Sequence, residues 1–104
     1  MSRVSVVGKI TAQPGKRDEV MAALGPMLEA VEKEAGTLLY VFNTDRKDDD
    51  VLWIYELYED REALQAHAGS EAMKANTIAL GGLLAGPPEL HIGQPLAGKG
   101  LPAG

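Results

Sequence analysis

Cysteine is missing from this chain altogether, which excludes disulfides, a thiolate nucleophile and any cysteine-ligated zinc site. Positive charge is also short: ten Lys and Arg stand against fifteen Asp and Glu, giving a net charge of −5 and a pI near 4.9. Nucleic acid and anionic membrane both require a basic face, so neither is expected as a partner. No stretch approaches the ~20 apolar residues of a membrane span. The opening Met1-Ser-Arg-Val-Ser lacks the apolar core of a signal peptide, so the cytoplasm is the expected location. Histidine is limited to His67 and His91, 24 residues apart, with no local ligand pair for a metal. The Asp48–Asp50 run lacks the spacing of a calcium loop, and no G-x-G-x-x-G turn is present for a flavin or nicotinamide. Neither a metal nor a cofactor is expected.

What remains is an ordinary globular composition, 45% hydrophobic and 24% charged over 104 residues, enough for one domain with a modest core. Val4, Val6, Val7 and Ile10 mark a first strand over residues 3–11, closed by a Gln13-Pro14-Gly15 turn. Residues 17–34 read as a helix with Val20, Leu24, Met27, Leu28 and Val31 on one face; Gly25-Pro26 predicts a kink in it. Gly36 is placed to end that helix in the left-handed conformation. Strands are predicted over 37–44, with Leu38, Tyr40 and Phe42 on one face, and over 51–58, joined by a charged hairpin over 45–50. Asp60 and Ser70 are candidate caps for helices over 61–68 and 71–84, the second with Met73, Leu80 and Leu84 as its stripe. Gly86-Pro87-Pro88 stops that helix, and 89–93 forms a last short strand. A domain over 1–94 is expected, followed by a Gly/Pro-rich tail over 95–104. The order βαββ(αα)β points to an α+β, ferredoxin-like fold with an antiparallel sheet.

Strand parity separates candidate site residues from scaffold, because side chains alternate between faces. On the third strand Leu52, Ile54, Glu56 and Tyr58 share one face, and Val51, Trp53, Tyr55 and Leu57 the other. A buried carboxylate is costly unless paired, so the Glu56 face is expected to border a cavity or polar interface, with Tyr58 beside it. His67 lies on the following helix, facing back toward the protein. His91, on the last strand, reads as a surface or interface side chain.

The segment Glu34-Ala-Gly-Thr-Leu-Leu-Tyr40 is followed 15 residues later by Tyr55-Glu-Leu-Tyr-Glu-Asp-Arg-Glu-Ala-Leu-Gln-Ala-His67. These two pieces resemble the antibiotic biosynthesis monooxygenase family (quinol monooxygenase-like), whose pattern runs E-x-G-x-L-x-Y, then Y-E-x-Y/W-x-D/S-x-x-A-x-x-x-H. The resemblance covers roughly residues 3 to 93. It implies a homodimer in which two open sheet faces form an α+β barrel. It also implies a cofactor-independent monooxygenase acting with dioxygen on a quinol or polycyclic phenol between sheet and helices. On that reading His67 is the proton acceptor, Tyr58 and Glu56 orient the substrate oxygen, and Ile54, Tyr40, Trp53 and Leu64 are candidate walls. Parity sets Trp53 opposite Tyr58 and makes it the weakest of these.

The same scaffold also carries small-molecule isomerases and aldehyde-processing enzymes, and a dimeric barrel can hold a ligand without turning it over. The heme-degrading branch uses a histidine on the last helix and an asparagine on the first strand. Here the corresponding helix region is Asn76-Thr77-Ile78 and the first strand has no asparagine, which disfavours heme. RNA-binding modules with this strand order carry a Lys/Arg-Gly-Phe signature that the third strand lacks.

Overall fold

The computed structural model of the chain describes residues 2–102. Strands β1 (Val4–Thr11), β2 (Thr37–Thr44), β3 (Val51–Tyr58) and β4 (Glu89–Gly93) form one antiparallel sheet in the order β2-β3-β1-β4. Between them lie helices α1 (Arg17–Ala23), α2 (Gly25–Val31), α3 (Arg61–Ala68) and α4 (Glu71–Ala79). This is the expected α+β ferredoxin-like architecture, and three of the four strands keep the expected bounds. Past Gly93 no further helix or strand occurs through residue 102.

The helices depart more. The kink predicted at Gly25-Pro26 is a full division, with Pro26 opening α2 and Leu24 serving as the C-cap of α1 and the N-cap of α2. Proline supplies no N–H to continue α1, whereas the first turn of a new helix does not need one. The apolar face nevertheless runs through both pieces: Val20, Leu24, Met27 and Val31 are buried. Helix α4 ends at Ala79 rather than 84, where Leu80 caps it and Gly82, at φ 80°, turns the chain away. Both predicted N-caps form. Asp60 accepts from the Ala63 N–H at 2.8 Å and Ser70 from the Met73 N–H at 3.1 Å.

Gly36 has no positive φ, so the left-handed helix ending expected there does not occur. The reason for glycine is space: a Cβ at this position would lie 2.6 Å from the Ala63 Cβ on α3. On β2 a bulge between Thr37 and Leu39 leaves Leu38 out of the ladder and exposed, so only Tyr40 and Phe42 of the expected trio face the helices.

The register aligns Val6, Glu56 and Tyr40 across the sheet on the helix side, and Gly8, Ile54 and Phe42 one step along. Around the Ile10 end of this face, Val20, Leu24, Leu52 and Leu80 close into the core. The opposite face carries Val41, Tyr55, Val7 and His91 in one cross-strand row, with all four side chains exposed.

Candidate active site

Between the sheet and helices α3 and α4 lies a cavity of about 750 Å³, within the size range of small-molecule sites. Val6, Ile54, Leu90 and Ile92 contribute to its floor, Tyr40 and Phe42 to one wall, and Met73 and Leu80 to its roof. Among its lining residues Glu56 is the one carboxylate and His67 the one imidazole, and no lysine or arginine takes part. Most of the surface a ligand would meet is therefore hydrocarbon, with Gln65, Asn76 and Thr77 adding neutral polar groups to Glu56 and His67.

The acid–imidazole group of this cavity is built by three elements. Glu56 reaches it from β3 because parity puts it on the helix side, opposite Val6 and Tyr40. His67 reaches it from the last turn of α3, where its ring is 3% exposed. Glu34 does not line the cavity but backs His67 from the turn between α2 and β2, held by Glu34 N–H to the Val31 carbonyl and by Thr37 N–H to the Glu34 carbonyl, each at 3.1 Å. Its Oε1 accepts from the Thr37 hydroxyl at 2.6 Å and pairs with His67 Nδ1 at 2.8 Å. The Tyr58 hydroxyl donates to Glu56 Oε1 in a short hydrogen bond. Across the gap His67 Nε2 stands 3.9 Å from the same Glu56 oxygen, beyond hydrogen-bond range, and has no partner among the described residues although it is buried.

The electrostatics follow from this burial. Desolvation raises the Glu56 pKa, and the Tyr58 hydrogen bond and the nearby His67 only partly oppose it. Tyr58 and Tyr40 are pushed well above the ordinary phenol range, chiefly by burial and then by neighbouring carboxylates, so both are neutral phenols. The Tyr40 and Tyr58 rings flank the His67 ring, with centroids 5.2 and 5.3 Å away. Among the described residues no three histidine, aspartate or glutamate side chains are placed to hold a metal ion.

Of the residues singled out in the sequence, His67, Glu56, Tyr40, Ile54 and Leu64 meet at this cavity. Tyr58 is fully buried behind it and acts on the cavity through Glu56. Trp53 is not a wall: it lies on the other sheet face, where its Nε1–H donates to Asp45 at 2.8 Å and Lys9 sits over its ring. Glu34 received no role from the sequence, although it opens the first motif segment. Leu90 and Ile92 were also missed, because their place on the floor depends on the pairing of β4 with β1.

The fold and the cavity together define an α+β ferredoxin-like domain with a mostly apolar pocket between sheet and helices. Residues 3–76 match the model of the antibiotic biosynthesis monooxygenase family, and the chain belongs to that family. A Caulobacter crescentus structure, provisionally named an antibiotic biosynthesis monooxygenase, superimposes with a TM-score of 0.85 at 27% identity, covering 92% of each chain. Rv0793 from Mycobacterium tuberculosis gives 0.85 at 28% identity, over 94% of this chain and 99% of that one. An uncharacterised Synechocystis protein is 28% identical over 89 residues; the match takes in 86% of this chain but 60% of that relative. Among the described residues no helix is long and apolar enough to cross a membrane.

Proposed function

We propose that the protein is a cofactor-independent monooxygenase acting on an uncharged hydroxylated aromatic of the quinol or polycyclic phenol class. The observation that supports this reading is His67, which lines a largely hydrocarbon cavity and whose buried Nε2 has no hydrogen-bond partner among the described residues. A phenol entering with its hydroxyl toward that nitrogen transfers its proton there, as imidazole accepts protons near neutral pH. The phenolate then gives an electron to dioxygen, and recombination of the two radicals places oxygen on the ring. One oxygen atom stays on the carbon and the other leaves as water. Quinol plus dioxygen thus becomes hydroxyquinone plus water, with all four electrons drawn from the substrate. Glu56, held by Tyr58, offers a carboxyl beside the developing oxyanion. Ile54, Tyr40 and Leu64 supply apolar walls that keep water from the intermediates. The same reading makes the protein a homodimer that joins two open sheet faces.

Oxygen uptake with a chelator present, on a panel of hydroquinones and hydroxylated anthracenes, tests the chemistry. The expected result is uptake that persists under chelation and falls roughly 10²–10⁴-fold in His67→Ala, the range a general base supplies. Uptake equal in both proteins moves the chemistry away from this cavity. Saturable binding with no uptake on any substrate makes the protein a ligand-binding member of its family.

A further inference from the structure

The two motif segments meet residue for residue in space. Ala63 and His67 are four apart on α3 and share one helix face. Gly36 and Glu34 are two apart on the turn that this face rests against. Gly36 is in contact with Ala63, where no side chain larger than hydrogen fits without a shift, and Glu34 reaches His67. The Glu59 N–H donates to the Gly36 carbonyl at 2.8 Å, fixing the same turn to the start of α3. The close approach at Gly36 therefore holds the α3 face where the Glu34 carboxylate can meet the imidazole.

We propose that Glu34 is a positioning residue that fixes His67 as the Nδ1–H tautomer, leaves Nε2 as the bare proton acceptor of the cavity, and gives the captured proton a route to solvent. A carboxylate has no proton to donate, so at the 2.8 Å contact the hydrogen belongs to Nδ1. With Nδ1 committed, a neutral ring presents its lone pair on Nε2, the buried atom that stands 3.9 Å from the Glu56 carboxyl and has no hydrogen-bond partner among the described residues. Glu34 is itself anchored by the Thr37 hydroxyl, so its orientation does not depend on the histidine. It is also 23% exposed and borders a second, polar depression of about 180 Å³ with Glu32 and Thr37, whereas it does not line the substrate cavity. A proton taken at Nε2 makes Nδ1–H more acidic, and Glu34 is the acceptor in contact with it. The ionisable groups around the ring are Glu34 from the turn, Glu56 and Tyr58 from β3 and Tyr40 from β2. Glu34 alone among them bonds to the imidazole within hydrogen-bond range.

The mechanistic consequence rests on the monooxygenase reading, but the tautomer does not, and the two are measured separately. Long-range ¹H–¹⁵N spectra of the intact protein at mildly alkaline pH report which ring nitrogen carries hydrogen. A His91→Gln background removes the one other imidazole. The expected spectrum of His67 has protonated Nδ1 and bare Nε2, and Glu34→Met turns it into a mixture of tautomers. A wild-type ring carrying hydrogen on Nε2, alone or on both nitrogens, overturns the proposal whether or not any substrate is oxidised. So does an unchanged spectrum in folded Glu34→Met. Where oxygen uptake is present, Glu34→Met is expected to lower kcat on the order of 10²-fold with KM within about twofold, because substrate binding is untouched. Its kcat–pH profile is expected to shift, and Glu34→Asp to recover part of the rate. A variant that changes KM alone, with kcat and pH profile intact, sinks the positioning role.

Discussion

Gly36 and Ala63 show how a single hydrogen atom can decide the position of a catalytic candidate. Because the obstruction at Gly36 is a methyl fixed to helix backbone, neither partner can rotate away. Gly36→Ala is expected to destabilise the protein by about 1–3 kcal/mol, the usual cost of overpacking. It is also expected to lengthen the Glu34–His67 contact by pushing α3 outward. Urea unfolding gives the first quantity, and an unchanged midpoint would show that the turn yields freely. Glu56 makes a second prediction at this scale, with its sign set by burial. Its folded pKa lies above the ordinary 4.5, so its protonated form is the one the fold favours. The stability it contributes is fully present below its unfolded pKa and is lost as pH rises through the folded value. Glu56→Gln keeps a carbonyl for the Tyr58 hydroxyl but cannot ionise. The variant's urea midpoint is expected to gain on wild type between pH 5 and pH 7; a constant difference across that range would mean that Glu56 stays in one protonation state.

At the scale of elements, the caps matter because α3 delivers His67. Asp60 accepts from Ala63 N–H within the first turn, and the next turns carry Leu64 and His67 to the cavity. Asp60→Ala is expected to cost about 0.5–2 kcal/mol, read as a lower thermal midpoint, and a loss within error would show that packing alone holds the helix end. Elements were legible in the sequence where the signal was local. The strands were bounded by turn residues and by alternation, and β2, β3 and β4 match their expected bounds, as does α3 between its cap and Gly69. Helix ends were less legible where two signals competed. Apolar spacing continued through Gly25-Pro26 and through Gly81-Gly82, but the backbone there could not remain helical and the apolar face was kept without continuous helix. Gly36 was misread for a related reason: glycine after a helix usually signals a left-handed turn, and close packing 27 residues away leaves no local trace.

At the scale of the whole molecule, parity on β3 put Glu56 on a face expected to border a cavity or a polar interface, and it made Trp53, on the opposite face, the weakest of the candidate walls. The pairing of Glu34 with His67, across 33 residues, was not readable, because it depends on the docking of one helix on one turn. The same sheet leaves a question of assembly that its exposed face addresses directly. Val7, Val41 and Tyr55, which are 42%, 40% and 46% exposed, lie in one row across three adjacent strands, and Leu39 adds a further 43% exposed side chain on the same side. Adjoining exposed apolar side chains on a domain this small are costly in water, and covering them with a second copy is the assembly the proposed barrel requires. Because they lie on the opposite face from the cavity, that second copy leaves the site open. The expected sedimentation mass at micromolar concentration is twice 11.0 kDa. Val7→Asp combined with Val41→Asp places two carboxylates against their symmetry mates or their neighbours and is expected to return the mass to that of one chain. The backbone ladder does not depend on these side chains, so the variant's circular dichroism should keep the wild-type mix of helix and strand. A wild-type protein that sediments as a single chain would remove the barrel from the proposal while leaving the His67 cavity as it stands.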